Sequence, residues 1–310
     1  MTTLLAPAKV NLHLHITGLT DEGYHLLDTS FAYIDCYDAL HIEAANELSV
    51  TCSESVLNGP SNLVYHVLHA LREKFAPGCG LRVHVEKHLP AQAGLGGGSS
   101  DAATALLAAN KLWGLDLTSR ELSEFASSFG ADIPCFLFGQ SSQASGIGEQ
   151  LTPLCLGHGA QPVVLAHPGV GLSTPLVFSH FDKLEMHKKN PFPSQLTPSR
   201  AKATMRAGLT GEAMPLLPLG ENDLEAVSIE MCPELALLLA AMRSKQLASW
   251  MSGSGTACIA FCESAAQADD MAQYLITERL ANWTHAGMLL DRHPLYGSSM
   301  QPSDWGVAKR

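Results

Sequence analysis

This chain lacks long apolar runs, Cys-x-x-Cys motifs and an excess of basic residues. Each absence excludes a class of protein. No run of apolar residues approaches the roughly 18 that a membrane-spanning helix needs. The N-terminus lacks the basic start and apolar stretch of a signal peptide, and none of the eight cysteines forms a Cys-x-x-Cys pair. We therefore expect a cytoplasmic protein without a membrane partner, whose reduced thiols are buried as small hydrophobic side chains.

Positive charge is scarce in the sequence. The 310 residues include 19 Lys and Arg against 30 Asp and Glu, which gives a formal net charge of −11. A surface of this sign repels phosphate backbones, so we do not expect nucleic acid as a partner, although one local site can still bind a nucleotide. The length is too great for one small core and predicts two domains.

Hydrophobic periodicity predicts strands alternating with helices, which indicates an α+β fold with two-layer domains. Strands are expected at residues 9–16, near 32–34 and 39–43, and at 81–85 and 162–166. Longer helices are expected at residues 62–75, 99–113, 223–242 and 265–280. A capping box at Thr118 and Glu121 predicts a further helix, and Asp132 opens another. The segment Lys183–Arg200 is polar and rich in proline, so we expect an exposed loop there.

The strongest chemical signal is a glycine-rich segment, Pro90-Ala91-Gln92-Ala93-Gly94-Leu95-Gly96-Gly97-Gly98-Ser99-Ser100. Its glycines allow close approach of a ligand to the backbone, and the free N–H groups of the helix behind it favour a polyphosphate. The segment is not a Walker A loop, because it has no Gly-Lys-[Ser/Thr], and Ser99 replaces the last glycine of Gly-x-Gly-x-x-Gly. The alternative is a flexible capped turn.

Asp132 and Lys9 are the candidate catalytic residues. A carboxylate at Asp132 could accept the proton of an attacking hydroxyl, although Asp at a helix start is more often an N-cap. The period-two strand puts Lys9 and Asn11 on one polar face, where an ammonium could offset charge on a transferring phosphate. Taken alone, the pattern slightly favours a solvated strand face. His13 and His15 share that face, but no third ligand is apparent and we expect no metal site there.

Two further segments have a binding and a structural interpretation. Tyr24-His25 follows a turn and combines an aromatic ring with a two-sided hydrogen-bonding group, which suits a planar heterocycle, but a packed turn aromatic is more common. The segment Gly253–Thr256 lies between predicted strands. It is either a second backbone-amide loop that closes over phosphate or a tight turn.

Together these segments resemble the GHMP kinases, the superfamily of galactokinase, homoserine kinase and mevalonate kinase. Three motifs stand in the expected order: Pro7–Leu12 continuing to Gly23-Tyr24-His25, then Pro90–Ala103, then Gly253–Thr256. Two connecting signatures agree, Gly130–Pro134 and His167–Val170. The ending Gly-Tyr-His is closest to the branch that acts on a cytidine diphosphate-linked methylerythritol. Other GHMP kinases, a diphosphomevalonate decarboxylase and a non-enzymatic nucleotide sensor are the alternatives.

The resemblance implies an S5-like α/β domain at residues 1–157 and a ferredoxin-like domain at residues 158–310, with the active site in the cleft between them. It implies ATP and Mg²⁺ as cofactors, a small-molecule alcohol as acceptor, and a monomer or homodimer. Asp132 is then the general base and Lys9 its activating partner, while the glycine-rich segment holds the ATP phosphates.

The resemblance also implies roles for residues outside the phosphate loop. Asn62, Leu63 and Lys87 would lie near the adenine. Asn11 and His25 would contact the substrate, and Asp132 would face its hydroxyl. Tyr24 and Phe178 would sandwich a cytosine ring.

Overall fold

The computed structural model describes residues 1–154, 156, 161–185, 203–206 and 216–296. Twelve strands and eight α-helices occur in this part of the chain. The strands are β1 (Thr2–Leu19), β2 (His25–Ala45), β3 (Leu48–Cys52), β4 (Gly80–Glu86), β5 (Ser142–Ser145), β6 (Gln150–Pro153), β7 (Pro162–His167), β8 (Ala203–Arg206), β9 (Leu216–Leu219), β10 (Ser249–Met251), β11 (Cys258–Phe261) and β12 (Trp283–Leu290). The helices are α1 (Leu63–Phe75), α2 (Gly97–Leu112), α3 (Ser119–Ala126), α4 (Ile133–Phe138), α5 (Thr174–Glu185), α6 (Glu225–Met231), α7 (Pro233–Ser244) and α8 (Ala265–Thr277).

The expected α+β class is confirmed, and ten of the described strands join in one sheet. Its main path runs β10-β11-β7-β12-β2-β4-β3, with β1 and β5 paired to β2. Strand β12 connects the two parts of the sheet, because Thr284 pairs with Ala166 of β7 while Leu289 pairs with Ile34 of β2. Because β1 pairs with β2, its site residues belong to a sheet that is continuous across both halves of the chain.

Three hydrophobic clusters hold the layers together. One packs the first strands against α1–α4, with Leu68 and Leu106 inside it. Another packs β7 and β11 against α5–α8, with Leu238 inside it. The third combines β1 residues with Ala93 and Leu95 of the glycine-rich segment and Trp250 of β10, so the loop is anchored by apolar side chains from distant parts of the sequence.

Most predicted elements are present, and one is wrong. The helix expected at 62–75 begins after Asn62, whose side chain accepts a hydrogen bond from the Val64 N–H, and the capping box of Thr118 and Glu121 is confirmed. The helix expected at 223–242 is two helices, because Pro233 has no N–H and disfavours helical backbone at the preceding residue.

The predicted loop Lys183–Arg200 differs at its start, where α5 continues to Glu185. Residues 186–200 lie outside the described part. No described helix combines the length and the apolar character that crossing a bilayer requires.

Candidate active site

A cavity of about 770 Å³ lies where the two halves of the chain meet. Its walls include all six of the predicted catalytic and substrate-binding residues, Lys9, Asn11, Tyr24, His25, Asp132 and Phe178, together with Gly253 and Ser254 from the second half. From the glycine-rich segment, Gly94 reaches this cavity. The fold therefore brings the candidate catalytic pair and the candidate aromatic residues to one space.

Lys9 lies on a covered face of β1, so the solvated strand face that the pattern slightly favoured is wrong. Lys9 is 3% exposed. Its ammonium donates to Asn11 Oδ1 at 2.7 Å and lies 5.3 Å from the centre of the Phe31 ring. Asn11 in turn donates from Nδ2 to Thr29 Oγ1 at 2.8 Å. These contacts fix the position of the ammonium at the cavity wall.

Residues from the second half of the chain cover this face. Trp250 Nε1 donates to the Asn11 carbonyl at 2.8 Å. The Ser252 hydroxyl accepts from the Asn11 N–H at 3.1 Å and donates to the Gly94 carbonyl at 3.0 Å. Strand β1 and the glycine-rich segment are therefore connected through one hydroxyl group.

Asp132 precedes α4 but does not cap it, because its side chain makes no capping hydrogen bond. Its Oδ2 atom lies 3.6 Å from Lys9 Nζ, and 40% of its side chain is exposed at the cavity. The arrangement is an open carboxylate beside a buried ammonium. Such a carboxylate can accept a proton from a hydroxyl, and the ammonium can counter developing negative charge.

The glycine-rich segment offers backbone rather than side chains to a ligand. Gly94 and Gly96 have φ of 76° and 70°, which favours glycine, and a Cβ on Gly98 would meet nothing within 4 Å. The side chains of Ala93 and Leu95 are buried. Helix α2 begins within this segment, at Gly97, and its first N–H groups have no partner within the helix.

The two serines of the segment differ in what they contact. The Ser100 hydroxyl is fully buried and donates to the Pro7 carbonyl at 2.7 Å. This hydrogen bond ties α2 to β1, and the Ser100 N–H donates to the Gly96 carbonyl at 2.9 Å, so both donors of Ser100 are bound within the protein. Ser99 is only partly buried and lies close to Gly130.

Lys87 belongs to a buried charge network beside the first residue of α2. Its ammonium donates to Asp101 Oδ2 at 2.7 Å and to Asp38, and it lies next to Gly97. Asp38 also accepts from the N–H groups of His88 and Leu89. Burial raises the pKa of the Asp101 carboxyl to about 7, although Lys87 acts in the opposite direction.

None of the three residues predicted near the adenine, Asn62, Leu63 and Lys87, lines the described cavity. Asn62 is buried and caps α1, and Leu63 packs against the first hydrophobic cluster. They stand at the start of α1, on the same side of the sheet as α2.

His25 and Phe178 contact each other, whereas Tyr24 extends into the cavity. The His25 and Phe178 rings have centroids 4.6 Å apart, and His25 Nε2 lies 2.7 Å from Asp182 Oδ1. Tyr24 is 63% exposed. An apolar wall and an open aromatic ring are thus available to a planar ligand.

The segment Gly253–Thr256 is held over β1 by hydrogen bonds. Asn222 Nδ2 binds the Gly253 carbonyl at 2.8 Å, and the hydroxyls of Ser254 and Thr174 are 2.8 Å apart. A Cβ on Gly253 would come within 3.5 Å of Lys9 Nζ. The backbone of this loop therefore lies directly beside the candidate catalytic pair.

His13 and His15 pair with carboxylates. His13 lies 3.4 Å from Asp28, and this hydrogen bond lowers the pKa of the Asp28 carboxyl. His15 contacts Asp223 at 3.4 Å, and that hydrogen bond raises the pKa of His15. Both contacts join β1 to its neighbours behind the cavity.

Several residues of the site escaped the sequence analysis. Asp101 lies inside the motif Pro90–Ala103 but received no role, and Ser252 directly precedes Gly253, so their places in or beside a motif could have indicated both. Thr29, Phe31 and Asp182 stand in no motif, and only the tertiary contacts identify them.

Family comparisons agree with this architecture. Residues 62–140 match the family described as GHMP kinases N terminal domain, and residues 201–282 match GHMP kinases C terminal. The fold also resembles mevalonate kinase from L. major, with a TM-score of 0.64 at 14% identity, over 94% of this chain and 96% of that one. At that identity the likeness shows the fold alone.

Relatives with higher sequence identity identify the family within the GHMP kinases. The 4-diphosphocytidyl-2-C-methyl-D-erythritol kinase of Acidovorax sp. strain JS42 is 41% identical over 82% of this chain and 85% of the relative. The enzyme of that name from Alcanivorax borkumensis is 36% identical over 88% and 86%. The crystal structure of a 4-(cytidine 5'-diphospho)-2C-methyl-D-erythritol kinase has a TM-score of 0.73 at 34% identity, over 93% of this chain and 99% of that one. This chain therefore belongs to the 4-diphosphocytidyl-2-C-methyl-D-erythritol kinase family of the GHMP kinases.

Proposed function

We propose that the chain transfers the terminal phosphoryl group of ATP to the 2-hydroxyl of 4-diphosphocytidyl-2-C-methyl-D-erythritol. The products are the 2-phosphate and ADP, in the non-mevalonate route to isoprenoid precursors. The observation that most supports this is the pair of Lys9 and Asp132, which faces one cavity together with Tyr24 and the glycine-rich segment. Family membership supports the same reaction, because the GHMP kinases use ATP.

Asp132 acts as the general base in this proposal. Its carboxylate is 40% exposed and lines the cavity, so it can accept the proton that the acceptor hydroxyl loses. Lys9 pairs with this carboxylate at 3.6 Å and counters negative charge on the transferring group. Asn11 holds the ammonium at 2.7 Å, which keeps this charge in place before the substrate arrives.

The glycine-rich segment and the start of α2 suit a polyphosphate. Space is open beside Gly98, and the N–H groups at the helix N-terminus point out of the helix. ATP supplies the phosphoryl group. Backbone N–H groups of this segment, with the Ser99 hydroxyl, would hold the phosphates, and Lys87 would add a positive charge beside Gly97.

Magnesium is proposed to enter as Mg·ATP. The described residues contain no group of three His, Cys, Asp or Glu side chains arranged around one point. Mg²⁺ usually keeps several water ligands and is bound through substrate phosphates and one or two carboxylates. A site without a dedicated cluster of protein ligands fits an ion that is held mainly by the phosphate oxygens of ATP and by water. The ion would neutralise phosphate charge, and the partly exposed Ser99 hydroxyl at the start of α2 would contact it.

The aromatic residues at the far side of the cavity would bind the base of the substrate. Tyr24 offers an exposed ring and Phe178 a second one beside His25. A cytosine ring between two aromatic rings gains stacking and apolar contact area. All the proposed site residues come from one chain, so a monomer or a homodimer would suffice.

The test is an assay of substrate-dependent ADP release together with a phosphorus spectrum of the products. We expect Asp132→Asn and Lys9→Ala each to lower kcat by a factor on the order of 10²–10⁴. The first change removes the carboxylate that accepts the proton, and the second removes the ammonium that counters negative charge. Asp270→Asn, an exposed carboxylate on α8, is the matched control and should keep the wild-type rate. Near-normal turnover by Asp132→Asn would refute the general-base role. ATP binding without any substrate-dependent turnover would refute the proposed acceptor.

A further inference from the structure

The side chain of Asn222 joins the end of β10 to the turn before α6. Its Nδ2 atom donates to the Met251 carbonyl and to the Gly253 carbonyl, each at 2.8 Å. Its Oδ1 atom accepts from the Leu224 N–H at 2.9 Å. An amide nitrogen has two hydrogens to donate, so the whole side chain is used to bind backbone in two separate segments.

The turn that carries Asn222 is itself held against β1. The Leu14 N–H donates to the Glu221 carbonyl at 2.8 Å, and the Asp223 N–H donates to the Leu14 carbonyl at 3.0 Å. The Asp223 carboxylate accepts from the Ile16 N–H at 2.8 Å. The amide of Asn222 is therefore fixed relative to the strand that carries the candidate catalytic lysine.

Gly253 is the place where this amide meets the candidate catalytic pair. A Cβ on Gly253 would lie 3.5 Å from Lys9 Nζ and 3.3 Å from Asn11 Oδ1, so its backbone is within reach of the ammonium. Glycine has the most backbone freedom of all residues, and a carbonyl oxygen is a strong acceptor. Without its partner, the Gly253 carbonyl could turn to the Lys9 ammonium and compete with Asp132 for it.

The bond to Asn222 also sets the direction of the next N–H group. The peptide between Gly253 and Ser254 is trans, so its N–H points away from its carbonyl. Among the residues that the structure describes, none accepts a hydrogen bond from the Ser254 N–H. Gly253 and Ser254 line the described cavity, whereas Asn222 does not. An unpaired donor that points away from Asn222 suits an anionic oxygen in the cavity.

We propose that Asn222 is a positioning residue for phosphoryl transfer. By binding the Gly253 carbonyl it leaves the Lys9 ammonium to Asp132. The same bond aims the Ser254 N–H at the transferring group. This inference rests on the proposed function, since it concerns the same reaction. Asn222 acts through the peptide that it binds, so its loss should lower kcat and leave the KM values for both substrates nearly unchanged.

Steady-state kinetics of Asn222→Asp with Mg·ATP and the cytidine-linked substrate test this role. The carboxylate keeps an acceptor for the Leu224 N–H but has no hydrogen to donate. We expect kcat to fall by a factor on the order of 10–10², with both KM values within about twofold of the wild type.

Asn110→Asp is the matched control. Asn110 also donates from Nδ2 to a carbonyl, that of Leu117 at 2.9 Å, and accepts from the Leu117 N–H at 3.0 Å. It lies near the C-terminus of α2, whereas the glycine-rich segment forms the N-terminus of that helix. The change therefore removes the same kind of hydrogen bond away from the site, and it should keep the wild-type kcat.

Asn222→Ser and a binding measurement separate positioning from a loss of stability. The serine hydroxyl can still accept from the Leu224 N–H, but it cannot bind two carbonyls, and Glu225 still accepts from the Met251 N–H at 3.1 Å. We expect the same fall in kcat. ADP with aluminium fluoride, which imitates the transferring group, should bind both Asn222 variants more weakly by a similar factor, while ADP alone should bind them as it binds the wild type.

The results that overturn the inference differ from those that overturn the proposed function. If the wild-type chain turns over the cytidine-linked substrate, a normal kcat in Asn222→Asp or Asn222→Ser would overturn this inference alone. An equal fall in kcat for Asn110→Asp would also overturn it, and so would unfolding of both Asn222 variants, because the side chain would then support the fold and not the peptide. A wild-type chain without substrate-dependent ADP release would count against the proposed function and this inference together.

Discussion

Gly94 is the position where one methyl group should do the most damage to the candidate site. Its φ of 76° lies in the left-handed region, and a Cβ there would come within 2.1 Å of the Ser252 carbonyl oxygen. That oxygen belongs to backbone, so it cannot rotate away as a flexible side chain could. Gly94→Ala must therefore push the glycine-rich segment and the loop after β10 apart.

The expected loss follows from three contributions. An L-residue in left-handed backbone costs about 1–2 kcal/mol. Overpacking in a filled region typically costs about 1–3 kcal/mol, and separating the loops would break the 3.0 Å hydrogen bond from Ser252 to the Gly94 carbonyl, worth about 1 kcal/mol. We expect the free energy of unfolding of Gly94→Ala to fall by about 4 kcal/mol.

Gly98→Ala is the matched control for stability. A Cβ at Gly98 would meet nothing within 4 Å, and the residue lies in the first turn of α2. Alanine favours helix over glycine by up to about 1 kcal/mol. Gly98→Ala should therefore be as stable as the wild type or slightly more stable.

Urea denaturation, followed by circular dichroism and tryptophan fluorescence, measures both variants. The midpoint should fall for Gly94→Ala and should stay or rise for Gly98→Ala, with similar slopes. A loss below about 1 kcal/mol for Gly94→Ala would mean that the two loops can separate freely. That outcome would refute the view that Ser252 holds the glycine-rich segment against β1.

Three other changes address single contacts. Tyr24→Ala should raise the KM for the cytidine-linked substrate more than the KM for ATP, because the proposed stacking concerns only the base. Burial raises the pKa of Asp101 to about 7 from 3.8, so the folded state keeps a proton that the unfolded chain releases, and the free energy of unfolding should fall as the pH rises between these values. Asp101→Asn cannot ionise and should remove that slope, which reaches about 1.4 kcal/mol per pH unit. Asn62→Ala loses the hydrogen bond to the Val64 N–H and should lower the free energy of unfolding by about 1 kcal/mol. Ser264→Ala, which removes the cap of α8, is the control and should lower it by a similar amount. Only Asn62→Ala should also raise the KM for ATP.

Each of these expectations has a contrary result. Equal rises in both KM values for Tyr24→Ala would argue against a stacking role. Parallel stability curves for the wild type and Asp101→Asn between pH 4 and 7 would show that Lys87 keeps the carboxyl ionised. An unchanged KM for ATP in Asn62→Ala would leave Asn62 as a helix cap without a nucleotide contact.

Local pattern was sufficient for much of the architecture. The period of two in β1, the helix that follows Asn62, the capping box at Thr118 and the glycines at the start of α2 are determined by neighbouring residues, and the structure has these elements. The prediction of one helix at 223–242 failed because it followed the apolar period across Pro233, although the local rule for proline was available. Strand β12 and helix α5 were not predicted at all.

The polar face of β1 is an example of what local sequence pattern cannot predict. Alternation indicates that Lys9 and Asn11 share a face, but it carries no information on what covers that face. The cover comes from Trp250 and Ser252, which are 239 and 241 residues distant from Asn11. Only when the chain folds back do these residues remove the face from water and leave the charge of Lys9 at the wall of the cavity.

Residue identity and order were enough to establish which chemical groups this protein has and which of them belong to one motif. They therefore indicated a phosphate-binding loop, a carboxylate and an ammonium. The tertiary structure alone decided that Asp132 faces Lys9, that Lys87 is bound by Asp38 and Asp101, and that Asp182 binds His25. The physical reason is that hydrogen bonds and ion pairs depend on distances of a few ångströms between atoms, and these distances are set by the packing of elements far apart in the chain.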